Sequence, residues 1–375
     1  MNPNAADAPE ASAVTVPDVP EWYPAWSREL ADFYFSGSAA LFVLHGNVRD
    51  LIHCPPLAGE DEFLGLGDFL AAQLFGRWDV ILSYDLGRGL RPLAGREPKR
   101  LATMVEYIAG RLGSPTGWPR DPDKVFATLD QLVQRNLLEE DPQRRKSIAL
   151  MFDHAQYLIP AGDLTALARG QASRLVRLMS WAQNPYLRRT TTAIFLVADR
   201  LSEVSPQLVQ DPHVATIEIP LPDQAVRHRF VEKALAEHDE LQLGDLTPER
   251  LSRLASGLNL TSLDIVLARA GRDRAPLTGG QFGELKKTMI ERECKGLVSF
   301  LEPAHTLDMV VGHTAAKGRL RQDAEWISHG RLDIAPMGYL VCGPVGTGKT
   351  FLAECYAGTI GIPCVVLRNF RSKYV

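Results

Sequence analysis

Short apolar runs alternate with helical patterns over residues 39–222 of the chain. The runs have the length and apolar character of buried strands, and the segments between them carry apolar residues at helical spacing. The predicted strands are 39–45, 80–84, 147–152, 192–198 and 215–219. The predicted helices between them include 68–74, 99–112, a helix from Pro122 and 164–181. This alternation predicts an α/β domain, with a parallel sheet covered by helices on both faces.

Different patterns flank this region. Residues 1–38 begin as a polar leader, for which we expect disorder, and continue into a helix at 21–35 with aromatic residues at helical spacing. These aromatic residues favour packing on the next domain, and a partner-binding face is the alternative. From Asp223 the pattern is helical only, which predicts a small all-α lid at 223–281. A charged connector helix is predicted at 282–303.

A second α/β unit is predicted over residues 304–375. An amphipathic helix at 315–327 precedes the apolar run 337–342, which predicts a buried strand. Residues 351–357 predict the next helix. A complete nucleotide-binding core needs about 150 residues, so we expect the chain to stop inside this domain.

Between that strand and that helix, Gly343-Pro344-Val345-Gly346-Thr347-Gly348-Lys349-Thr350 fits the phosphate-loop pattern G-x-x-x-x-G-K-[ST]. The glycines allow backbone conformations that turn successive N–H groups toward a phosphate. Lys349 is the candidate ligand of the β- and γ-phosphates, and the Thr350 hydroxyl is the candidate ligand of Mg²⁺. The helix that continues with Phe351 points its positive N-terminal end at the anion. The pattern predicts binding of ATP with Mg²⁺.

Composition narrows the function classes. The formal net charge of −4 and the pI near 6.2 provide no general field that would attract nucleic acid. No apolar stretch reaches the roughly 18 residues of a membrane-spanning helix, and the N-terminus lacks the basic and apolar regions of a secretion signal. The five cysteines are scattered, without the spacing of a zinc site or a disulfide framework. These features predict a cytoplasmic protein that does not enter a membrane.

Three segments in order resemble the AAA ATPases: TLDMVVGH at 306–313, MGYLVCGPVGTGKT at 337–350 and NFRSKYV at 369–375. The resemblance implies a P-loop NTPase-like fold in both units, with the first unit a degenerate copy. It also implies that Asp308, Val311 and Gly312 lie against the adenine. Val311 stands where glycine is usual, and a plain turn is the alternative. Tyr374 and Val375 are similar to the pore loop of a hexameric translocase, and a buried tyrosine at a strand end is the alternative.

In the first unit, the resemblance fails at the chemical positions. The turn at 46–51 contains no lysine after a second glycine. Asp153 stands where the family binds Mg²⁺, but His154 follows it where a water-activating glutamate is expected. Asp199 stands where a polar residue senses the γ-phosphate, and a carboxylate would repel that group. We therefore expect the first unit to keep the fold, to lack hydrolysis and to serve a structural role.

The resemblance implies that the full-length protein is an ATP-hydrolysing ring motor that remodels or translocates polypeptides. We expect these 375 residues alone to bind ATP without turnover, because they supply no water-activating carboxylate beside the intact loop. A nucleotide-dependent scaffold without turnover is one alternative, and a nucleic-acid-acting ATPase is another. The expected partners are other copies of the chain and a polypeptide client.

Overall fold

The structure is a computed structural model that describes residues 19–55, 61–95, 97–114, 117–141, 143–162, 168–238, 240–273, 276–293, 298–301, 305–328, 331, 334–360 and 364–367. The chain forms two compact units. The first unit comprises Met1–Glu240 and Pro248–Ala268, and the second comprises Leu241–Thr247 and Arg269–Val375.

A six-stranded sheet forms the centre of the first unit. The strands of this unit are β1 (Leu41–Gly46), β2 (Leu51–Cys54), β3 (Glu62–Gly65), β4 (Val80–Asp85), β5 (Gly89–Pro92), β6 (Ile148–Phe152), β7 (Thr192–Val197) and β8 (Val214–Ile219). The order across the sheet is β5-β4-β6-β7-β1-β8, and every neighbouring pair is parallel except β4 with β5. This mostly parallel sheet confirms the predicted α/β fold.

Helices precede, connect and follow these strands, in line with the sequence pattern. They are α1 (Ala25–Phe35), α2 (Leu66–Phe69), α3 (Pro98–Leu112), α4 (Pro122–Leu137), α5 (Ala155–Leu158), α6 (Arg169–Gln183), α7 (Pro206–Val209), α8 (Gln224–Glu237), α9 (Pro248–Leu254) and the N-terminal part of α10 (Leu260–Asp273). A single turn of π-helix at Leu70–Leu74 extends α2.

Aromatic contacts show that helical segments cover both faces of the sheet. Phe195 of β7 and Phe152 of β6 point to opposite faces, because Phe152 pairs with the residue that follows Phe195. Phe75, at the end of the helical segment 66–74, has its ring 5.2 Å from that of Phe195. On the other face, Phe126 of α4 and Trp181 of α6 pack against Phe152 with ring centroids 4.7 and 6.3 Å away.

Helix α1 and the residues before it pack their aromatic side chains against the core. Trp26 is 5% exposed, and its ring lies 5.6 Å from that of Phe69 in α2. The ring of Tyr23 lies 5.9 Å from the same phenylalanine. These contacts confirm the interpretation that the aromatic residues of 21–35 pack on the adjacent domain.

A β-hairpin follows β1, and the sequence pattern did not predict it. β2 and β3 pair antiparallel, with Leu51 opposite Gly65. Each strand has four residues, only some of them buried, so neither forms an apolar run. The short edge strand β5 was missed for a related reason, since it begins with glycine and ends with proline, residues that are typical of turns.

After β8, the described chain is helical through α11 (Gly279–Glu293), apart from an isolated bridge between Leu243 and Leu277. The predicted connector helix at 282–303 is wrong in its extent, because α11 ends at Glu293 and β9 occupies Val298–Leu301. Pairing explains the difference, since β9 lies antiparallel to β10 (Cys364–Leu367). Within the described ranges, no helix combines the length and the apolar character needed to cross a bilayer.

The second unit contains α11, β9, α12 (Thr314–Ser328), α13 (Lys349–Ile360) and β10. The predicted strand at 337–342 is wrong. These residues are irregular, and Leu340 is 92% exposed. An extended segment becomes a strand only when neighbouring backbone pairs with it. In the part of the second unit that the structure describes, only β9 and β10 pair as strands.

Candidate functional site

Residues 343–350 form a turn that leads into α13, as the phosphate-loop pattern predicts. Gly346 and Gly348 have φ angles of 84° and 80°, which lie in the left-handed region that residues with a side chain rarely adopt. Lys349 is the first residue of α13. The positive N-terminal end of α13 therefore lies at the end of the loop.

The Lys349 side chain folds back over the loop. Its Nζ donates a hydrogen bond to the carbonyl oxygen of Gly343 at 2.9 Å and another to that of Pro344. The Thr347 hydroxyl also donates to the Pro344 carbonyl, at 2.9 Å. A phosphate oxygen is a stronger acceptor for an ammonium group than a neutral carbonyl is. Lys349 can therefore exchange these contacts for a phosphate without leaving the loop.

A cavity of about 570 Å³ opens beside the loop, within the size range of small-molecule sites. The predicted site residues in its wall are Val311, Thr347, Gly348, Lys349 and Phe351. Arg319 adds a second cation to the wall, and none of the described lining residues carries a carboxylate. Because Arg319 is paired with Asp323 of α12, Lys349 is the cation of the described wall through which the cavity favours an anionic ligand.

The remaining predicted residues lie outside the cavity wall; they are Gly343, Pro344, Val345, Gly346, Thr350, Asp308 and Gly312. Asp308 contacts α12 instead, because its carboxylate accepts a hydrogen bond from Arg321 Nη2 at 2.6 Å. Gly312 and His313 form a turn with φ angles of 79° and 50° directly before α12. Val310 and Val311 are the residues of the predicted segment 308–312 that line the cavity.

Several lining residues were not predicted from the sequence, among them His313, Tyr339 and Cys342. Tyr339 and Cys342 belong to the run that predicted a buried strand, and the positive φ of His313 has no sequence signal beyond the glycine before it. Tyr374 and Val375 lie outside the described residues. Their interpretation as a pore loop stays a prediction.

In the first unit, an arginine side chain lies at the carboxyl ends of β1, β6 and β7. Arg49 donates through Nη1 to Asp153 Oδ1 at 2.5 Å and through Nε to Asp199 Oδ1 at 2.9 Å. Its Nη2 lies 3.0 Å from Nδ1 of His154, which must be the acceptor because a guanidinium can only donate. The structure thus brings together Asp153, His154 and Asp199, and they surround one guanidinium group.

The turn after β1 leads into β2 and not into a helix. Gly46 has a φ of 90°, and a Cβ there would lie 2.7 Å from the carbonyl oxygen of Ile219. Asp50 is 3% exposed and accepts hydrogen bonds from the backbone N–H groups of Leu260 and Thr261, each at 2.9 Å. A phosphate loop requires a following helix whose N-terminus faces the anion. The geometry of this turn is therefore not that of a phosphate loop.

A family model described as "AAA+ chaperone, N-terminal Rossmann-like domain" matches residues 16–220, more than half of the chain. The chain belongs to the AAA+ chaperone family. A second model of this family, "AAA+ chaperone, second helical domain", matches residues 225–295. Both descriptions agree with the parallel sheet and the helical segment that follows it. Membership of this AAA+ chaperone family places the chain among the AAA ATPases, which bind nucleotide.

Relatives of this chain include two proteins named "ATP-dependent zinc metalloprotease FtsH". The protein from Hahella chejuensis is 36% identical over 89 residues, and that from Methylibium petroleiphilum is 43% identical over 61 residues. These matches cover 22% and 15% of this chain. "Protein CdcH" from Halobacterium salinarum is 23% identical over 327 residues, or 79% of this chain. The chain spans 13%, 10% and 42% of these three relatives, respectively.

Replacing Arg49 by alanine is expected to lower the free energy of unfolding of the first unit by about 1–2 kcal/mol. The change leaves the carboxylates of Asp153 and Asp199 without the cation between them. Solvent limits the loss, since the side chains of Arg49, Asp153 and Asp199 are 38%, 24% and 47% exposed. Urea denaturation followed by tryptophan fluorescence measures the effect, because five of the six tryptophans precede residue 240.

Arg200→Ala is the matched control for this prediction. It removes an arginine that is 64% exposed and that pairs with Glu203 at 3.7 Å, so the expected loss is below about 0.5 kcal/mol. Equal unfolding midpoints for the Arg49 and Arg200 variants would show that Arg49 does not hold the strand ends together.

Proposed function

We propose that the chain binds MgATP through the phosphate loop of the second unit, and that the full-length protein is an ATP-hydrolysing ring motor that remodels or translocates polypeptides. One observation carries the proposal. The loop 343–350, with its left-handed glycines, lies at the N-terminus of α13 beside a cavity whose charged wall residues are cationic.

Different loop residues bind different parts of MgATP. Lys349 binds the β- and γ-phosphates, and the backbone N–H groups of the loop and of the first turn of α13 bind phosphate oxygens. The Thr350 hydroxyl, on the second residue of α13, is an oxygen ligand suited to Mg²⁺. Bound Mg²⁺ supplies charge neutralisation between the phosphates. The apolar part of the wall, including Val311, receives the base.

In the first unit, Arg49 is the cationic partner of the strand-end carboxylates. Its ion pairs with Asp153 and Asp199 occupy the edge of the sheet at which open α/β folds bind ligands. The first unit therefore has a structural role, as a stacked ring or as a docking platform, and does not hydrolyse ATP.

Two observations support the proposed polypeptide client and hexameric ring: the family of the chain, and the presence of Tyr374 and Val375 near its end. An aromatic and a β-branched side chain can insert between the side chains of an extended polypeptide without selecting a sequence. The family name describes chaperones, and two of the relatives are named ATP-dependent metalloproteases. A cytoplasmic location accords with this function.

A second candidate is a scaffold that binds ATP to order its assembly without turnover. The observation in its favour is that the described wall of the cavity contains no carboxylate able to activate water. A nucleic-acid-acting ATPase is the third candidate, and the net charge of −4 argues against it.

Tyr374→Ala in the full-length protein separates these candidates. If the protein is a motor, we expect its rate of unfolding a fluorescent protein with an unstructured tail to fall at least about tenfold in the presence of ATP. The reason is that the pore loses its aromatic contact with the polypeptide. The ATPase rate is expected to stay within about twofold of wild type, since the substitution is outside the phosphate loop. Tyr374→Phe is the matched control and keeps both rates.

The same experiment shows which of the three candidates is wrong. If the Tyr374→Ala protein unfolds the fluorescent substrate at the wild-type rate, the translocase is ruled out. ATP binding without turnover or unfolding by wild-type protein supports the scaffold. An ATPase rate that DNA or RNA stimulates and that no polypeptide affects supports the third candidate.

A further inference from the structure

The segments before and after the phosphate loop meet through two tyrosine side chains. Tyr339 lies four residues before Gly343, and Tyr356 lies on α13. Their hydroxyl oxygens are 2.9 Å apart, and their rings contact edge to face with centroids at 5.4 Å. The contact therefore closes the chain segment that contains the phosphate loop.

A buried carboxylate on α12 forms the end of this hydrogen-bonded chain. Asp323 is 0% exposed, and its Oδ2 accepts a hydrogen bond from the Tyr339 hydroxyl at 2.7 Å. Arg319, one turn earlier on α12, places Nε 3.2 Å from Oδ1 and supplies the neutralising charge. A buried carboxylate without such partners would be strongly destabilising, so Tyr339 is held firmly in this position.

The direction of each hydrogen bond follows from proton counting. A carboxylate can only accept hydrogen bonds, so Tyr339 donates its single hydroxyl proton to the hydrogen bond with Asp323. Tyr356 must then donate to the Tyr339 oxygen. Burial, reinforced by the hydrogen bonds to Tyr356 and Asp323, raises the pKa of the Tyr339 phenol well above its ordinary value. The order Tyr356 to Tyr339 to Asp323, called the hydroxyl chain below, is therefore the only one available to these groups.

The hydroxyl chain acts on α13, the helix that carries the phosphate ligands. Tyr356 is seven residues after Lys349, which places both on one face of the helix, two turns apart. At the other end of α13, the Thr359 hydroxyl accepts a hydrogen bond from the Leu307 N–H at 2.9 Å. Tyr339 also lines the cavity beside the loop. These bonds hold the helix and the entry to the loop in one fixed relation.

We propose that the hydroxyl chain is a positioning device that sets residues 343–350 in the conformation that binds a polyphosphate, so that Tyr339 is a positioning residue for this site. The inference rests on the proposed function of the loop. Tyr339 acts through the backbone on either side of the loop and through α13. Its loss weakens the contacts to the phosphates and leaves the contacts to the base in place.

Tyr339→Phe tests the proposal, because it keeps the ring and removes both hydroxyl bonds. The dissociation constants for ATP, inorganic triphosphate and adenosine are measured for the full-length protein, together with the melting temperature. We expect the constants for ATP and triphosphate to rise about 5–10-fold, because the loss of the bonds to Asp323 and Tyr356 loosens the loop and only part of their free energy is expressed in binding. The constant for adenosine stays within about twofold of wild type. Tyr356→Phe keeps the Tyr339–Asp323 bond and is expected to raise the two polyphosphate constants by only about 2–3-fold.

Tyr186→Phe is the control, since Tyr186 lies in the first unit and is 68% exposed. Unchanged ATP and triphosphate binding by Tyr339→Phe overturns the inference and leaves the proposed function in place. Equal weakening of all three ligands also overturns it, because that result indicates a general loss of folding. Wild-type protein that binds neither ATP nor triphosphate overturns the proposed function and the inference with it.

Discussion

Replacing Lys349 by alanine is expected to weaken ATP binding by about 100-fold or more. The ammonium group makes charge-assisted hydrogen bonds to two phosphates, each worth about 1.5–3 kcal/mol, and about 1.4 kcal/mol corresponds to a tenfold change in affinity. Alanine supplies neither the charge nor a donor. Competition of ATP against a fluorescent nucleotide analogue measures the change.

The control for this prediction is Lys233→Ala, which removes the same charge from an ion pair with Glu237 on α8 of the first unit and should leave ATP affinity unchanged. The melting temperature of the Lys349 variant is expected to stay within a few degrees of wild type, because the lysine bonds only carbonyl groups of its own loop. An ATP affinity that survives Lys349→Ala would place the nucleotide somewhere other than at residues 343–350.

Asp50→Ala is expected to lower the free energy of unfolding of the first unit by about 2–4 kcal/mol. The carboxylate of this buried residue accepts hydrogen bonds from the Leu260 and Thr261 N–H groups, the Thr261 hydroxyl at 3.1 Å and Asn47 Nδ2 at 2.8 Å. It thereby caps the N-terminus of α10 from a turn that is 210 residues away in sequence. Alanine leaves these donors without their acceptor. Chemical denaturation measures the loss.

Asp223→Ala provides the comparison, since Asp223 caps α8 with one hydrogen bond to the Val226 N–H and is exposed. Its expected loss is about 1 kcal/mol, the usual value of an exposed cap. Asp50→Asn keeps one acceptor oxygen and should fall between the two alanine variants. Equal losses for Asp50→Ala and Asp223→Ala would mean that burial of the Asp50 cap adds nothing to stability.

The strands that the sequence predicts well are those buried in the centre of the sheet. β1 and β7 are almost wholly buried, so their apolar runs mark them within a few residues. β2, β3 and β5 are short and only partly buried, so no apolar run marks them in the sequence. Pairing with a neighbouring strand stabilises them. Such pairing joins residues that local pattern analysis cannot connect.

The wrong strand prediction at 337–342 also comes from pairing that local sequence does not show, but here the apolar run is present and, among the described residues, a neighbouring strand is not. The run has the composition of a buried strand, but its state depends on whether a neighbouring strand pairs with it. Likewise, the sequence shows that no lysine follows a second glycine at 46–51, but it does not show the role of Arg49. The partners of Arg49 are 104 and 150 residues away, and only the sheet brings them together. The turn at 343–350 that leads into α13 was predictable because its whole pattern lies within eight consecutive residues.

The hairpin of β2 and β3 limits what substitutions can achieve in the first unit. A single substitution can place a lysine in the turn after β1, but it cannot turn two paired strands into a helix that points its N-terminus at that turn. Building an anion site there would require exchange of the segment from Leu51 to Gly65 and loss of the cap that Asp50 provides for α10. No single substitution therefore converts this turn into a phosphate loop.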